Sequence, residues 1–263
     1  MPPLHTLNRG QGPVLVLVHG FPLDHSMWSE QLEAFPDQRL IAVDLRGFGR
    51  SAVTAPAAPL STTSMEQMAD DVAATLDVLG ITQRVVFCGL SMGGYVAWQF
   101  WRRHPDKLAA LILCDTRAKA DSPEAAANRL KMVESVLRSG PEPVSEAMLP
   151  KLFGPDARTK CLERIEATRR TMLATQPEAI AAALRGMAAR PDVTSWLGEI
   201  DVPSLVVVGE HDAISSPAEM REFAAAMPKS EFAVIPEAGH MSPLENPAAF
   251  NPLVARFLKR VSP

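Results

Sequence analysis

The chain has 263 residues, of which 47% are hydrophobic and 21% are charged, and its net charge at pH 7 is -4. These values are ordinary for a globular protein and exclude the strongly basic surface that binds nucleic acid. No apolar run reaches the roughly 18 residues that a membrane helix needs, and the first residues lack the pattern of a secretory signal. The 3 cysteines are far apart in the chain, which favours reduced thiols in a cytoplasmic protein over disulfides or a metal site.

Apolar runs alternate with helical patterns in the first part of the chain. Four runs are short, nearly continuous and aliphatic, as is typical of strands buried on both faces: 13–20, 39–45, 84–89 and 108–115. The clearest helix between them covers 65–79, and Ser64 with Gln67 forms a capping-box pattern at its start. A second helix begins near Met92 and ends before Pro105. This alternation predicts a parallel sheet with crossover helices.

The strand signal disappears between residues 117 and 197. This segment is rich in Ala, Arg, Glu, Met and Leu, and it contains helix starts such as Ser122 followed by Pro123. Two strands and a closing helix then follow: 203–209, 231–236 and about 247–260. We therefore predict an α/β fold with a mostly parallel central sheet flanked by helices. In this prediction, 1–116 and 198–263 form the core, and 117–197 forms an inserted all-helical cap.

The stretch "VFCGLSMGGYVAW" at 86–98 contains a candidate nucleophile. Gly89, Ser91 and Gly93 form the pattern G-x-S-x-G directly after a predicted strand and before a predicted helix. A serine hydroxyl becomes a useful nucleophile when a sharp strand-to-helix turn exposes it and a nearby base removes its proton. The two glycines remove side chains that would clash in such a turn. This context favours Ser91 as a nucleophile over a turn that serves packing alone.

A base and an orienting acid are predicted at the ends of later strands. Asp212 follows one of the last two predicted strands, and His240 lies in the loop after the other. Because the carboxyl ends of parallel strands meet at one edge of a sheet, both would lie near Ser91. Asp115 also ends a strand, and it is the alternative acid. Three other histidines are interpreted as solvated or loop residues: His5, His25 and His104.

Attack on a carbonyl creates an oxyanion that needs two N–H donors. The amide of Met92, directly after the nucleophile, is one candidate. The loop "HGFP" at 19–22 supplies the other, because Gly20 lets the chain turn close to the site and the amide of Phe21 is then a donor. The neighbours of these donors and of the base are the candidate substrate-binding residues: His19, Gly20, Pro22 and Met241.

Together these residues resemble the α/β-hydrolase fold superfamily over nearly the whole chain. Five motifs stand in the order and rough spacing of that superfamily: "HGFP", "DLRGFGRS" at 44–51, "GLSMGG", "GEHD" and "EAGHMSPLENP". The sequence is most similar to small serine esterases, cofactor-free haloperoxidases of the perhydrolase type and 3-oxoadipate enol-lactonases. The resemblance implies a triad of Ser91, His240 and Asp212, an oxyanion hole at Phe21 and Met92, and neither metal nor cofactor. Because about a dozen residues precede the first long strand, the antiparallel edge strands usual there are expected to be shortened or partly missing.

The resemblance implies a serine hydrolase that cleaves small, mainly neutral carboxylic esters through an acyl-enzyme. Lactonases and carbon–carbon bond hydrolases of aromatic catabolism keep the same triad and are alternatives, as is a non-hydrolytic signalling receptor of this fold. Dehalogenases and epoxide hydrolases are disfavoured, because they attack with a carboxylate at the place of Ser91. The expected partner is a small-molecule ester, and the expected state is a monomer or a small homo-oligomer.

Two features bear on the choice of substrate. In the perhydrolase-type relatives, a proline at the place of Pro22 accompanies turnover of the acyl-enzyme by hydrogen peroxide, which predicts peracid formation as a side activity. A basic residue of the cap would hold a substrate carboxylate if it faced the pocket. The candidates are Arg117, Lys119, Arg169 and Arg170. We expect most of these charges to face solvent, and we expect the Met and Leu residues of the cap to leave an apolar acyl pocket.

Overall fold

The computed structural model describes residues 3–51 and 61–261. A seven-stranded sheet lies at the centre of this described chain. Its strands are β1 (Thr6–Arg9), β2 (Val14–Val18), β3 (Arg39–Val43), β4 (Val85–Leu90), β5 (Leu108–Cys114), β6 (Ser204–Gly209) and β7 (Ser230–Ile235). Their spatial order is β1-β3-β2-β4-β5-β6-β7. β1 is antiparallel to β3 and all other neighbouring pairs are parallel, which confirms the predicted mostly parallel sheet.

The described residues also form ten α-helices. They are α1 (Met65–Val78), α2 (Met92–Arg103), α3 (Pro123–Ser139), α4 (Glu142–Leu152), α5 (Ala157–Lys160), α6 (Leu162–Ala174), α7 (Pro177–Ala188), α8 (Pro217–Ala225), α9 (Ser242–Glu245) and α10 (Pro247–Val261). α1 packs against α2, and α2 packs against β4 and β5. The capping box at the start of α1 is present, since Ser64 and Gln67 each accept a hydrogen bond from the other's backbone N–H.

Five consecutive helices, α3 to α7, lie between β5 and β6 inside the segment 117–197. The first begins at Pro123, and the hydroxyl of Ser122 caps it by accepting a hydrogen bond from the N–H of Ala125 at 3.2 Å. α3 packs against α7 and α4, and α4 packs against α6. The segment is therefore helical where the sequence predicts helices. Its separation from the core as a cap stays a prediction.

One antiparallel edge strand is present at the N-terminal side of the sheet. β1 is only 4 residues long and pairs with β3 from Thr6 opposite Val43 to Arg9 opposite Leu40. The three cysteines are buried and free, as their spacing in the sequence predicts. Among the helices of the described residues, none combines the length and the apolarity that crossing a membrane requires.

The parallel strands bring several loops to one edge of the sheet. The carboxyl ends of β2, β4, β5, β6 and β7 all lie there. Two of these loops approach each other very closely. A Cβ atom added at Gly209 would lie only 1.9 Å from the carbonyl oxygen of Gly239. The candidate active site is built from these loops.

Asp44, directly after β3, holds three segments together through a buried carboxylate. Its Oδ1 accepts hydrogen bonds from Nδ1 of His25 at 2.7 Å and from the backbone N–H of His25 at 2.8 Å. Its Oδ2 accepts from Nδ1 of His5 at 3.0 Å and from the N–H of Arg50 at 2.9 Å. His5 and His104 are partly exposed loop residues, as predicted, whereas His25 begins a short 3-10 helix. The sequence does not predict their pairing with carboxylates, which also occurs at His104, whose Nε2 lies 2.8 Å from Oδ1 of Asp70.

Hydrogen bonding decides the charge of Asp44. Burial alone would raise the pKa of this carboxyl, but the bonds from His25 and from the N–H of Arg50 outweigh it and lower the pKa to about 2. The same contact raises the pKa of His25, since the carboxylate stabilises the protonated imidazole. Asp44 is therefore an anion at neutral pH and stabilises the loops around it.

We expect Asp44→Asn to lower the free energy of unfolding by about 2–3 kcal/mol at pH 7, because the amide turns N–H donors toward groups that are themselves donors. A carboxyl whose pKa falls on folding stabilises the protein above its unfolded pKa of about 3.9, and this stabilisation is lost as the pH falls through the folded value. The gap between wild type and variant should therefore shrink from pH 5 to pH 3. Urea unfolding at pH 7, 5 and 3 measures it.

The exposed Asp37 provides the matched control. Asp37→Asn should unfold with the wild-type midpoint at all three pH values. A gap between wild type and Asp44→Asn that stays constant from pH 7 to pH 3 would contradict the role of the charged form.

Candidate active site

Ser91 lies at the turn between β4 and α2, partly exposed at the edge of the sheet. Its backbone has φ 53° and ψ -112°, a conformation that residues other than glycine rarely adopt. Two hydrogen bonds tie the turn to the end of β5. The N–H of Ser91 donates to the carbonyl of Cys114 at 2.9 Å, and the carbonyl of Ser91 accepts from the hydroxyl of Thr116 at 2.8 Å. The turn therefore has the geometry predicted for a nucleophile.

The glycines on either side of Ser91 are required by close approach. A Cβ atom at Gly89 would lie 2.2 Å from the carbonyl oxygen of Gly93. A Cβ atom at Gly93 would lie 2.3 Å from the carbonyl oxygen of Val18, at the end of β2. Both distances are far below van der Waals contact. The G-x-S-x-G pattern thus reflects two separate steric limits, one inside the turn and one against the neighbouring strand.

His240 and Asp212 are brought together, as their places after β7 and β6 predict. Nδ1 of His240 lies 2.8 Å from Oδ2 of Asp212, and both side chains are buried. Oδ1 of Asp212 accepts hydrogen bonds from the N–H groups of Ile214 at 2.7 Å and Ser215 at 2.9 Å. These bonds fix the carboxylate, which in turn fixes the imidazole. An Nδ1–H donated to Asp212 leaves Nε2 of His240 free to accept a proton.

The third link of the predicted triad is not formed in the described part of the chain, where no hydrogen bond joins Oγ of Ser91 to His240. Such bonds are often long without substrate and tighten only in the complex. The structure therefore brings together the acid and the base, and it places the serine at the same sheet edge.

Asp115, the alternative acid, contacts a different set of groups. Its Oδ1 accepts a hydrogen bond from the N–H of Gly209 at 2.8 Å, and its Oδ2 lies 2.5 Å from Oγ of Ser242. Burial raises its pKa well above the ordinary value, and the nearby charge of Asp212 adds to this shift. Burial therefore favours the neutral form of Asp115, whose side chain joins the end of β6 to the start of α9. The carboxylate that orients His240 is Asp212.

The two predicted oxyanion donors lie on either side of Ser91. A Cβ atom at Gly20 would lie 3.4 Å from Cβ of Ser91, so the loop after β2 reaches the nucleophile. Within the described residues, the N–H groups of Phe21 and Met92 donate to no other protein group. Two backbone donors without an internal acceptor, next to a candidate nucleophile, are what an oxyanion hole requires.

His19 holds this loop through hydrogen bonds of its imidazole. Its Nε2 accepts a hydrogen bond from the N–H of Leu45 at 2.9 Å, and its Nδ1 donates to the carbonyl of Gly20 at 2.9 Å. Burial lowers its pKa, so the imidazole is neutral, as this pattern of one acceptor and one donor requires. Both nitrogens are occupied and the side chain is fully buried. The expectation that His19 contacts substrate is therefore wrong, and its role is to orient the loop that carries Phe21.

Pro22 and Met241 attach the site to the segment 117–197. The carbonyl of Pro22 accepts a hydrogen bond from the hydroxyl of Thr175 at 3.1 Å. The N–H of Met241, next to the base, donates to the carbonyl of Leu152 at 3.0 Å. Pro22 and Met241 are buried, and their contact with substrate stays a prediction.

The four basic residues considered for a substrate carboxylate are engaged elsewhere or exposed. Arg117 pairs with Glu219 at 2.9 Å, and Lys119 pairs with Glu222 at 3.3 Å. Arg169 and Arg170 are exposed on α6. Lys119 is exposed as well, so the positions agree with the expectation that most of these charges face solvent.

Asp44, His5 and His25 have groups that could bind a metal ion, and their ligand atoms lie within 4.8 Å of one another. The Nδ1 atom of each imidazole forms a hydrogen bond with the carboxylate. The cluster is thus complete as a hydrogen-bond network.

Two contacting residues were not predicted from the sequence. Thr175 contacts the loop of Phe21 and Pro22, and Glu245 contacts the loop of His240. Glu245 stands inside the motif "EAGHMSPLENP", but a motif does not show where a carboxylate points. Thr175 carries no local signal, because its partner is 153 residues away in the sequence.

Comparison with known proteins agrees with this geometry. The pattern of the α/β-hydrolase fold family matches residues 13–247. The solved structure of a thermophilic esterase from Thermogutta terrifontis, in a malate-bound form, is 46% identical, with a TM-score of 0.94 over 99% of this chain and 94% of that one. The enol-lactonase from Burkholderia xenovorans is 32% identical, with a TM-score of 0.87 over 97% of this chain and 96% of that one. The 3-oxoadipate enol-lactonase 2 of Acinetobacter baylyi is 28% identical over 256 residues, which cover 97% of this chain and 92% of that protein.

The family match covers most of the chain, and the similarity to the esterase and to the enol-lactonase extends over nearly all of it. The mostly parallel sheet flanked by helices is the fold that the sequence resemblance implies. The chain therefore belongs to the α/β-hydrolase fold family and is an enzyme of that superfamily.

Proposed function

We propose that this protein is a serine hydrolase of small, mainly neutral carboxylic esters. The observation that carries the proposal is the buried pair of His240 and Asp212, 2.8 Å apart, at the same sheet edge as Ser91. A buried carboxylate that fixes one imidazole nitrogen leaves the other as a general base beside a hydroxyl. As part of the same proposal, the protein acts on a small molecule in the cytoplasm as a monomer or a small homo-oligomer.

The reaction proceeds through two tetrahedral intermediates. Nε2 of His240 takes the proton of Ser91 while Oγ attacks the ester carbonyl, and the N–H groups of Phe21 and Met92 bind the oxyanion. The intermediate collapses to an acyl-enzyme, and the alcohol leaves with the proton of His240. A water molecule that gives its proton to His240 then attacks the acyl carbonyl. Ser91 leaves with that proton, and the acid is released.

A neutral ester is favoured over a charged substrate. The thermophilic esterase is the more similar of the two solved relatives described above, at 46% identity. Arg117 and Lys119 are paired with glutamates, and no anionic clamp is formed by the four basic residues considered above. A lactone is the second candidate, because an enol-lactonase is 32% identical over 97% of the chain.

We expect the wild type to hydrolyse p-nitrophenyl acetate and butyrate, and Ser91→Ala to lower kcat by about 10³-fold or more, because the nucleophile is lost. A chain-length series and a panel of lactones, assayed with the same preparations, separate an esterase from a lactonase. Turnover of lactones alone would replace the ester with the second candidate. Turnover of neither class would overturn the proposal and favour a non-hydrolytic receptor. Labelling by a fluorophosphonate at a residue other than Ser91 would overturn the assignment of the nucleophile.

The two carboxyl groups near the base should respond differently to the same substitution. Asp212→Asn should lower kcat by about 10³-fold or more, because the amide no longer holds Nδ1–H of His240. Asp115→Asn should keep kcat within about fivefold, because the amide oxygen can accept from Gly209 while its NH2 group donates to the hydroxyl of Ser242, which rotates to accept in place of donating. Initial rates on one ester, with stability measured in parallel, compare the two variants. Equal losses in both would contradict the assignment of the acid.

Peracid formation is the predicted side activity. Acetic acid should acylate Ser91 with loss of a water molecule. Hydrogen peroxide should then attack the acyl-enzyme in place of water and give a proton to His240, which returns it to Ser91 as peracetic acid leaves. Monochlorodimedone bleaching in bromide detects peracid, and Ser91→Ala is the control that should abolish it. An enzyme active on esters that forms no detectable peracid would refute this part of the proposal.

A further inference from the structure

The carboxylate of Glu245 contacts the backbone on both sides of His240. Its Oε1 accepts hydrogen bonds from the N–H groups of Gly239 at 2.9 Å and Met241 at 3.2 Å. These are the residues directly before and after the proposed base. One oxygen atom therefore holds the short loop that carries the imidazole.

The other oxygen of Glu245 contacts the segment between β5 and β6. Its Oε2 accepts a hydrogen bond from the N–H of Gly154, just after α4, at 2.7 Å. A second bond joins the same two regions, because the N–H of Met241 donates to the carbonyl of Leu152 at 3.0 Å. The side chain of Glu245 and the backbone of Met241 thus link residues 152–154 to the loop of the base.

Close backbone packing makes this acceptor necessary. A Cβ atom at Gly239 would lie 2.5 Å from the backbone nitrogen of Gly154, so no side chain can enter between the two segments. Buried N–H groups need acceptors. Burial raises the pKa of Glu245, and the three N–H groups act in the opposite direction. A carboxylate suits the position because both of its oxygens accept and neither carries a proton.

We propose that Glu245 is a positioning residue that holds the loop of His240 in register with Ser91 and couples that loop to Gly154 in the predicted cap. The proposal rests on the proposed function, because it assigns to Glu245 an effect on proton transfer by His240. Glu245 itself contacts backbone N–H groups and not the reacting atoms.

The test is Glu245→Gln, which keeps the size of the side chain and replaces one acceptor by a donor. Whichever way the amide turns, at least one buried N–H faces an NH2 group and loses its partner. Glu30→Gln is the matched control. The Glu30 carboxylate also joins the core to α6, through Arg164 at 2.8 Å, without contact with the loop of His240.

Hydrogen exchange measures the coupling directly. In Glu245→Gln, at least one of the amides of Gly239 and Gly154 should exchange faster than in the wild type, and Met241, which also donates to Leu152, should change less. Glu30→Gln should leave all three unchanged. This measurement does not depend on activity. Unchanged exchange at all three amides would overturn the proposal even if esters are hydrolysed.

Kinetics measure the consequence for the base. Glu245→Gln should lower kcat on p-nitrophenyl butyrate at least about tenfold, equivalent to ~1.4 kcal/mol in the barrier, and change KM by less than about twofold. Substitution of a residue that acts through His240 should have little further effect on the rate in a variant that lacks the imidazole. Adding Glu245→Gln to His240→Ala should therefore lower the residual rate by less than about twofold. If Glu245→Gln acted through a general effect on folding, it would lower the rate of the wild type and of His240→Ala by the same factor. That result would overturn the proposal.

Failure of the proposed function is distinguishable from failure of this inference. If the wild type hydrolyses no ester, the rate of fluorophosphonate labelling at Ser91 replaces kcat in the same cycle, because labelling also needs the base but not ester turnover. Labelling that is equally fast in wild type and Glu245→Gln would overturn the positioning role.

Discussion

The left-handed backbone of Ser91 is the constraint on which the site depends. A residue other than glycine at φ 53° costs about 1–2 kcal/mol, so the surrounding structure must hold it there. Three neighbours do so: the carbonyl of Cys114, the hydroxyl of Thr116 and the end of β2 against Gly93. Because all three belong to β2 or β5 or to the residues just after them, the central strands set the position of the nucleophile. The turn is thus fixed before any substrate binds.

Carboxylates hold the loops around this turn by accepting hydrogen bonds. Asp44, Asp212 and Glu245 each accept hydrogen bonds from backbone N–H groups of more than one residue. A loop offers many donors that no strand or helix partner satisfies, and a carboxylate satisfies several at once. Asp115 also joins two segments by accepting hydrogen bonds, and its pKa is raised by burial and by Asp212. The donors that remain without an internal acceptor, at Phe21 and Met92, are then free for an oxyanion.

The sequence predicts the parts of this site that depend on local pattern. Ser91, Asp212 and His240 each follow an apolar strand, and parallel strands bring their ends together, so these positions can be predicted without coordinates. Their joint action as a triad stays a prediction. Hydrogen bonds between residues far apart in the sequence cannot be predicted from local pattern. His19 was assigned to substrate although its Nε2 accepts from the N–H of Leu45, and the pairing of His25 with Asp44 was not predicted. An imidazole has the same sequence signal whether it faces a ligand, a carboxylate or a backbone N–H.

Hydrogen bonds join the segment 117–197 to two loops of the core, the loop of the proposed oxyanion donor Phe21 and the loop of the proposed base His240. Thr175 donates to the carbonyl of Pro22, next to a proposed oxyanion donor, and Leu152 accepts from Met241, next to the proposed base. A helical segment fastened at these two points cannot change its packing without moving a donor or the imidazole. The packing of this segment is therefore coupled to the positions of the proposed oxyanion donor Phe21 and the proposed base His240. Selection for a new substrate through α4 or α6 would have to preserve both contacts, which favours substitutions on the faces of these helices that point away from Leu152 and Thr175.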